Sequence, residues 1–197
     1  MPTPTLKVNF DSWLTCDLVD AEHKHLRSEV AGAEAYALEC SGMGRRAATR
    51  VLQQMGQTEA IIDNSGLGPE GAKALAVCLA TTSVAQSLDV RDHQIDAAGA
   101  GPLAAAAITH PTMREFTFSR NPLKMAGAAA VGKAVREAGI HGTLTTLKLR
   151  ECQIDVAGAL ALASALSQHG TSLTSVDLSG NRIGDSAATA LGDMLLN

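Results

Sequence analysis

LTSVDLSGNRIGDSAATALGDML, residues 173 to 195, decides the fold because it holds two periods in succession. Its apolar residues fall first at Leu173, Val176 and Leu178, then, beyond Asn181 and Ile183, at Leu191 and Leu195. Alternation across 176–178 is the period of a strand, and the later spacing is that of a helix face. The same grid fits at Leu144, Leu147, Leu149, Cys152, Ile154, Leu162 and Leu166, and at Met113, Phe116, Phe118, Asn121, Leu123, Val131 and Val135. Upstream it fits at Leu88, Val90, His93, Ile95, Gly99, Leu103 and Ala107, and at Ala60, Ile62, Ser65, Leu67, Gly71, Leu75 and Leu79. A weaker first copy is Tyr36, Leu38, Ser41, Met43, Ala47, Val51 and Met55. The anchors Met43, Leu67, Ile95, Leu123, Ile154 and Ile183 stand 24, 28, 28, 31 and 29 residues apart, which predicts six copies of one unit. Self-similarity at such a period marks a repeat architecture.

Each unit is thus a strand followed by a helix, and neither can bury its apolar side alone. Stacking the units buries both. The position held by Asn121, Cys152 and Asn181, more weakly by Ser41, Ser65 and His93, is predicted to serve the backbone of the turn leaving the strand, whose polar groups need partners. Replacing Asn121 or Asn181 by Leu should then cost about 1 to 3 kcal/mol. Asp96 and Asp155, one place after their anchors, are predicted helix caps. Pro69 falls at the start of its helix, where proline is tolerated. Pro102, seven residues past Ile95, predicts a helix that begins late or bends. Gly71, Gly99, Gly127 and Gly158 recur four residues past the anchor, where a small residue lets helix and strand layers approach.

Composition agrees with thin stacked layers. Apolar residues make up 46% of the 197 and aromatics only 3%, so the core must come from Leu, Val, Ile and Ala. A formal charge of -4 gives no basic footprint for nucleic acid. The longest weakly polar run, 97–108, falls short of the roughly 20 residues that span a bilayer, and the opening MPTPTLKVNFDSW lacks a secretory pattern. Cys16, Cys40, Cys78 and Cys152 are scattered, which predicts reduced thiols in a cytosol-like compartment rather than disulfides or a zinc site. No metal and no cofactor is expected. Residues 1–32 do not fit the repeat; Leu6, Val8 and Phe10 alternate as a strand, residues 20–30 suit a helix, and Trp13 suits packing over the first edge. The predicted organisation is an N-terminal capping segment, 1–32, and a repeat array, 33–197.

The segments LTTLKLRECQIDVAGALALASAL and LTSVDLSGNRIGDSAATALGDML follow L-x-x-L-x-L-x-x-N/C-x-I with an apolar helix behind it. This resembles the ribonuclease-inhibitor-like class of leucine-rich repeat proteins over roughly residues 33 to 197. The resemblance implies an α/β solenoid, a horseshoe with parallel strands on the concave side and helices on the convex side. It also implies a non-enzymatic protein–protein interaction module, an adaptor or scaffold subunit, in the cytoplasm with cytoskeletal or ciliary association as a further expectation. Members include inhibitors, actin-filament cappers, immune sensor modules and the activator of the Ran GTPase. A small-GTPase regulator of that last kind is the alternative reading. The longer array and acidic tail of that family have no counterpart here.

In such a sheet the residues between core positions point outward: Ile61, Asp63, Asp89, Arg91, Thr117, Ser119, Lys148, Arg150, Asp177 and Ser179. Asp63, Asp89, Arg91, Lys148, Arg150 and Asp177 are the candidate partner-binding residues, running from acidic to basic to acidic. Arg150 and Lys148 lead, since Arg in particular makes bidentate contacts and is enriched at interface hot spots. The partner is expected to be another protein or a second copy of the chain, with no nucleic acid and no membrane. A second expected contact is the end of the final helix, Met194, Leu195, Leu196 and Asn197, as an edge covered by a partner or a second copy. Gly66, Gly68 and Gly71 spell GxGxxG between a strand and a helix, but the repeat alone explains Gly71, so dinucleotide binding is not expected. His23 and His25 lie two apart and make a poor metal pair, while His110, His141 and His169 are predicted exposed loop residues. No catalytic Ser, His and Asp set recurs on the grid.

Overall fold

A computed structural model describes residues 21–42, 51, 54, 57–62, 66–139, 142–167 and 172–195, with the backbone alone described for 21–31 and 193–195. Helix α1, Ala21–Gly42, leads into β1 (Glu59–Ile61), α2 (Gly68–Thr81), β2 (Ser87–Asp89), α3 (Ala97–Thr109) and β3 (Glu115–Thr117). Then come α4 (Lys124–Ala138), β4 (Thr146–Lys148), α5 (Val156–Leu166), β5 (Ser175–Asp177) and α6 (Gly184–Leu195). The five strands form one parallel sheet in the order β1-β2-β3-β4-β5. The register is strict: Ala60, Leu88, Phe116, Leu147 and Val176 are partners from strand to strand. Each helix packs on the next in sequence order. The chain is an α/β leucine-rich repeat solenoid, strands on the concave side.

The core sits between the strand row and the helices. Leu88, Phe116 and Leu147 are fully buried, as are the helix positions Leu75, Leu103, Val131 and Leu162. Phe116 and Phe118 meet edge to face with centroids 4.6 Å apart and fill the middle of this aromatic-poor core. Among the described residues no helix is long and apolar enough to cross a membrane.

The weak first copy is corrected. Tyr36, Leu38 and Ser41 lie in α1 rather than on a strand and its turn, and α1 runs across the boundary expected near residue 33. Tyr36 and Cys40 are buried, four residues apart, whereas Leu38 is 77% exposed. That is a helical face and not an alternating strand. Exposed Ser41 therefore plays no ladder role. Met43, Ala47, Met55, Trp13 and the Leu6–Phe10 alternation lie outside the described residues.

The late helix start expected from Pro102 is also corrected. Helix α3 starts directly after Asp96, whose carboxylate accepts from the N–H groups of Ala98 (2.9 Å) and Gly99 (3.4 Å). A capped first turn fixes the start. Pro102 stays inside the helix because both it and Ala98, whose carbonyl it deprives of a donor, are exposed to water. Asp155 caps α5 in the same manner through Gly158 N–H, 2.8 Å. Pro69 is accommodated in the first turn of α2.

Candidate functional site

The turns at the carboxyl ends of the strands come in two kinds that alternate along the array. After β3 and β5 the ladder residue is Asn. Asn121 Oδ1 accepts from the backbone N–H groups of His93 and Ile95, both at 3.0 Å, and its Nδ2 donates to Val90 O at 2.8 Å and Phe118 O at 2.7 Å. Asn181 repeats this with Cys152 N (2.8 Å), Ile154 N (3.0 Å), Leu149 O (2.6 Å) and Leu178 O (2.8 Å). One amide thus joins two units and satisfies the turn of the unit before it.

After β2 and β4 the ladder residue lends a donor to the unit before it. His93 Nε2 meets Ile62 O, and Cys152 Sγ reaches Phe118 O at 3.5 Å and Arg150 O at 3.3 Å. The preceding Asn turn needs less help, because Leu123 N–H bonds Asn121 O at 2.8 Å within its own turn. Backbone angles mark the same split. Gln94 and Gln153 take φ of 57° and 58° directly after His93 and Cys152, whereas Lys124 and Gly184 take 55° and 62° three places after Asn121 and Asn181. The helices after β2 and β4 have Asp caps; α2 and α4 start on Leu67 and Leu123 with no side-chain cap. The turn after β1 begins its helix in the Asn manner and has Gly66 and Gly68 at positive φ, so turn geometry accounts for these glycines. Ser65 lies outside the described residues.

A second row of hydroxyls joins the turns entering the strands, and the repeat grid did not predict it. Thr112 Oγ1 donates to Ala85 O at 2.9 Å, Thr143 Oγ1 to Met113 O at 2.8 Å, and Ser172 Oγ to Leu144 O at 2.7 Å. His110 belongs to this end, and the expectation of an exposed loop residue is corrected: it is 3% exposed. Its Nε2 meets Thr82 Oγ1 at 3.3 Å, and its carbonyl accepts from Thr143 at 2.7 Å. Burial holds its pKa below the usual histidine range. His141 and His169, and the side chains of His23 and His25, lie outside the described set.

These frames hold up the outward face. Asp89 is 8% exposed and accepts from Arg91 Nε at 2.8 Å within its own unit. Lys148 reaches back across β3–β4 to Glu115, and Arg150 lies 3.7 Å from Asp177 across β4–β5. Arg120 lies 3.5 Å from Glu151 in the turns above. Thr117 on the middle strand and Ser119 in the turn leaving it are short and buried, 5% and 8% exposed, and leave a low centre between charged flanks. Asp177 is held below the usual carboxylate range, first by Ser179, whose hydroxyl donates at 2.6 Å and whose N–H donates at 3.0 Å, and then by Arg150 and Lys148. Asp63 lies outside the described residues. Of the six candidates, then, Asp89 and Arg91 pair with each other, as do Arg150 and Asp177. Lys148 has a partner absent from the prediction. Glu115 was legible all the same: it precedes the core position Phe116, and strand alternation puts it on the same face as Thr117, two residues on.

The family described as Leucine Rich repeat matches residues 143–163 and 169–192, the units of β4 and β5. With five in-register parallel strands, sequentially packed helices and the Asn/Cys ladder, this makes the chain a ribonuclease-inhibitor-like leucine-rich repeat protein. Ribonuclease inhibitor of Sus scrofa is 30% identical over 139 residues, 70% of this chain and 30% of that protein. NACHT, LRR and PYD domains-containing protein 5 of Homo sapiens is 28% identical over 145 residues, 73% of this chain and 12% of that protein. The chain spans less than a third of either relative's length. Among solved structures, leiomodin-1 actin-binding site 2 superposes with a TM-score of 0.58 at 14% identity, covering 91% of this chain and 90% of that one.

Proposed function

We propose that this chain is a non-enzymatic protein-interaction module, an adaptor or scaffold element, that docks another protein on its concave face. The carrying observation is the set of ion pairs placed in rows on one rigid sheet, Asp89–Arg91, Glu115–Lys148 and Arg150–Asp177, around the low centre of Thr117 and Ser119. Five strands at about 4.8 Å spacing present a face on the order of 20 Å across. Charges already held in position lose less freedom when a partner engages them, which favours affinity. The name of the porcine relative, ribonuclease inhibitor, supports a protein ligand for such a face. A cytoplasmic site of action belongs to the same proposal.

The test compares partners retained by the wild-type chain, by Lys148→Glu with Arg150→Glu, and by a convex-side control, Lys133→Glu on α4. The pair on the concave face should lose partners that the control keeps, with both variants still unfolding in one cooperative transition. An identical set of partners on all three proteins would count against the concave face.

A further inference from the structure

The four strand junctions of the array are not fastened alike. Between β2 and β3, Asn121 makes three buried bonds across the junction, to His93 N, Ile95 N and Val90 O, and among the described residues no ion pair crosses it. Between β3 and β4 the ladder side chain is a thiol, Cys152 Sγ, which reaches Phe118 O at 3.5 Å, beside the backbone bond from Lys124 N to Cys152 O and, at the entering turns, the Thr143 hydroxyl on Met113 O at 2.8 Å. A thiol is a weak donor. At this same junction two ion pairs cross, Glu115–Lys148 on the concave face and Arg120–Glu151 in the turns above it. Ser119 Oγ also accepts from Arg150 N–H at 3.3 Å there. The β4–β5 junction has both means, Asn181 inside and Arg150–Asp177 outside.

We propose that Glu115–Lys148 and Arg120–Glu151 form a salt-sensitive clasp across the β3–β4 junction, so that opening at this seam depends on ionic strength more than opening at its neighbours. The physical ground is a difference in screening. Buried amide bonds are indifferent to added salt, whereas the clasp pairs are 39% to 60% exposed and weaken as counterions gather. Opening at one junction needs only nearest-neighbour contacts to yield, because each unit leans on its neighbours alone. The clasp is a property of the free chain and stands apart from the docking reading. If that reading also holds, a partner carboxylate that draws Lys148 from Glu115 releases the same seam.

Hydrogen exchange on the free chain tests it, amide by amide. The amides of Phe118 and Arg120 donate across β3–β4, those of Val90 and Asp92 across β2–β3, and those of Leu149 and Glu151 across β4–β5. Raising sodium chloride from about 0.1 M to about 1 M shortens the screening length from roughly 10 Å to roughly 3 Å. Exchange at Phe118 and Arg120 should accelerate on the order of threefold to tenfold, with Leu149 and Glu151 responding less and Val90 and Asp92 within about twofold of their low-salt rates. Glu115→Gln with Glu151→Gln should exchange quickly at Phe118 and Arg120 in both salts and lose the salt response. Uniform acceleration at all three junctions, no acceleration at any, or a salt response that survives the double substitution would overturn the clasp.

Discussion

The turns after β3 and β5 and those after β2 and β4 occupy equivalent places in the repeat yet solve the same problem with opposite chemistry. The first pair brings in a side chain that both accepts and donates, Asn121 or Asn181. The second pair leaves its own N–H groups to the Asn of the next unit and offers one donor to the unit before. An amide is therefore required only at every second unit, and a thiol or imidazole serves between. Stability in this array belongs to pairs of units, not to single ones.

The sharpest way to break that comparison is Asn121→Leu. It leaves the buried N–H groups of His93 and Ile95 and the carbonyl of Val90 without partners, and should cost about 3 kcal/mol or more, seen as a lower urea midpoint. An unchanged midpoint would show that the turn does not depend on the amide. Alkaline pH probes the other kind of turn. Burial pushes the Cys152 thiol from 9.0 to about 11, so its neutral form is favoured in the folded chain. A raised folded value gives stability that is complete below pH 9 and lost as pH rises towards 11, on the order of 2 kcal/mol. Cys78, pushed up to about 12, adds its own loss, so Cys152→Ala should reduce the alkaline loss without abolishing it.

The glycines sharpen the comparison further. A Cβ on Gly99 would lie 2.8 Å from Pro69 Cα and 2.9 Å from Pro69 O, while one on Gly71 would lie 3.0 Å from the Leu67 side chain. The approach to the Pro69 backbone is the closer and less yielding, whereas at Gly71 the Leu67 Cδ2, 3.2 Å away, can turn aside and only its Cβ is fixed. Gly99→Ala should cost about 1 to 3 kcal/mol and Gly71→Ala clearly less, by thermal unfolding of the two variants side by side. Equal costs would erase the distinction between packing on the previous unit and packing on one's own anchor. The smallest effect concerns Lys124, held at φ 55° where the equivalent place after β5 has Gly184. Lys124→Gly should stabilise by about 0.5 to 1 kcal/mol, and a lower midpoint would mean that the lysine has a role beyond its backbone.

Much of this was legible in the sequence because strand and helix faces have fixed periods. Leu88, Phe116, Leu147 and Val176 were placed on one row and occur there, and Asp96 and Asp155 were placed as caps and serve as such. The early repeat misled because Tyr36 and Leu38 fit alternation as two isolated points, while the burial of Tyr36 and Cys40 on one helical face depends on what α1 packs against. His110 misled for a related reason: a polar residue after a helix is exposed only if no neighbour covers it, and Thr82 and Thr143 both reach it from adjoining units.

The sequence by itself determined the later units and their register, since local periodicity and capping chemistry act within about thirty residues, one unit's length. Only the tertiary structure decided which charges neutralise one another and which turns borrow an amide from the next unit. Lys148 is 33 residues from Glu115 and Asn121 is 31 from Val90; their meeting is set by the stacking of units, and no pattern within a single unit contains it.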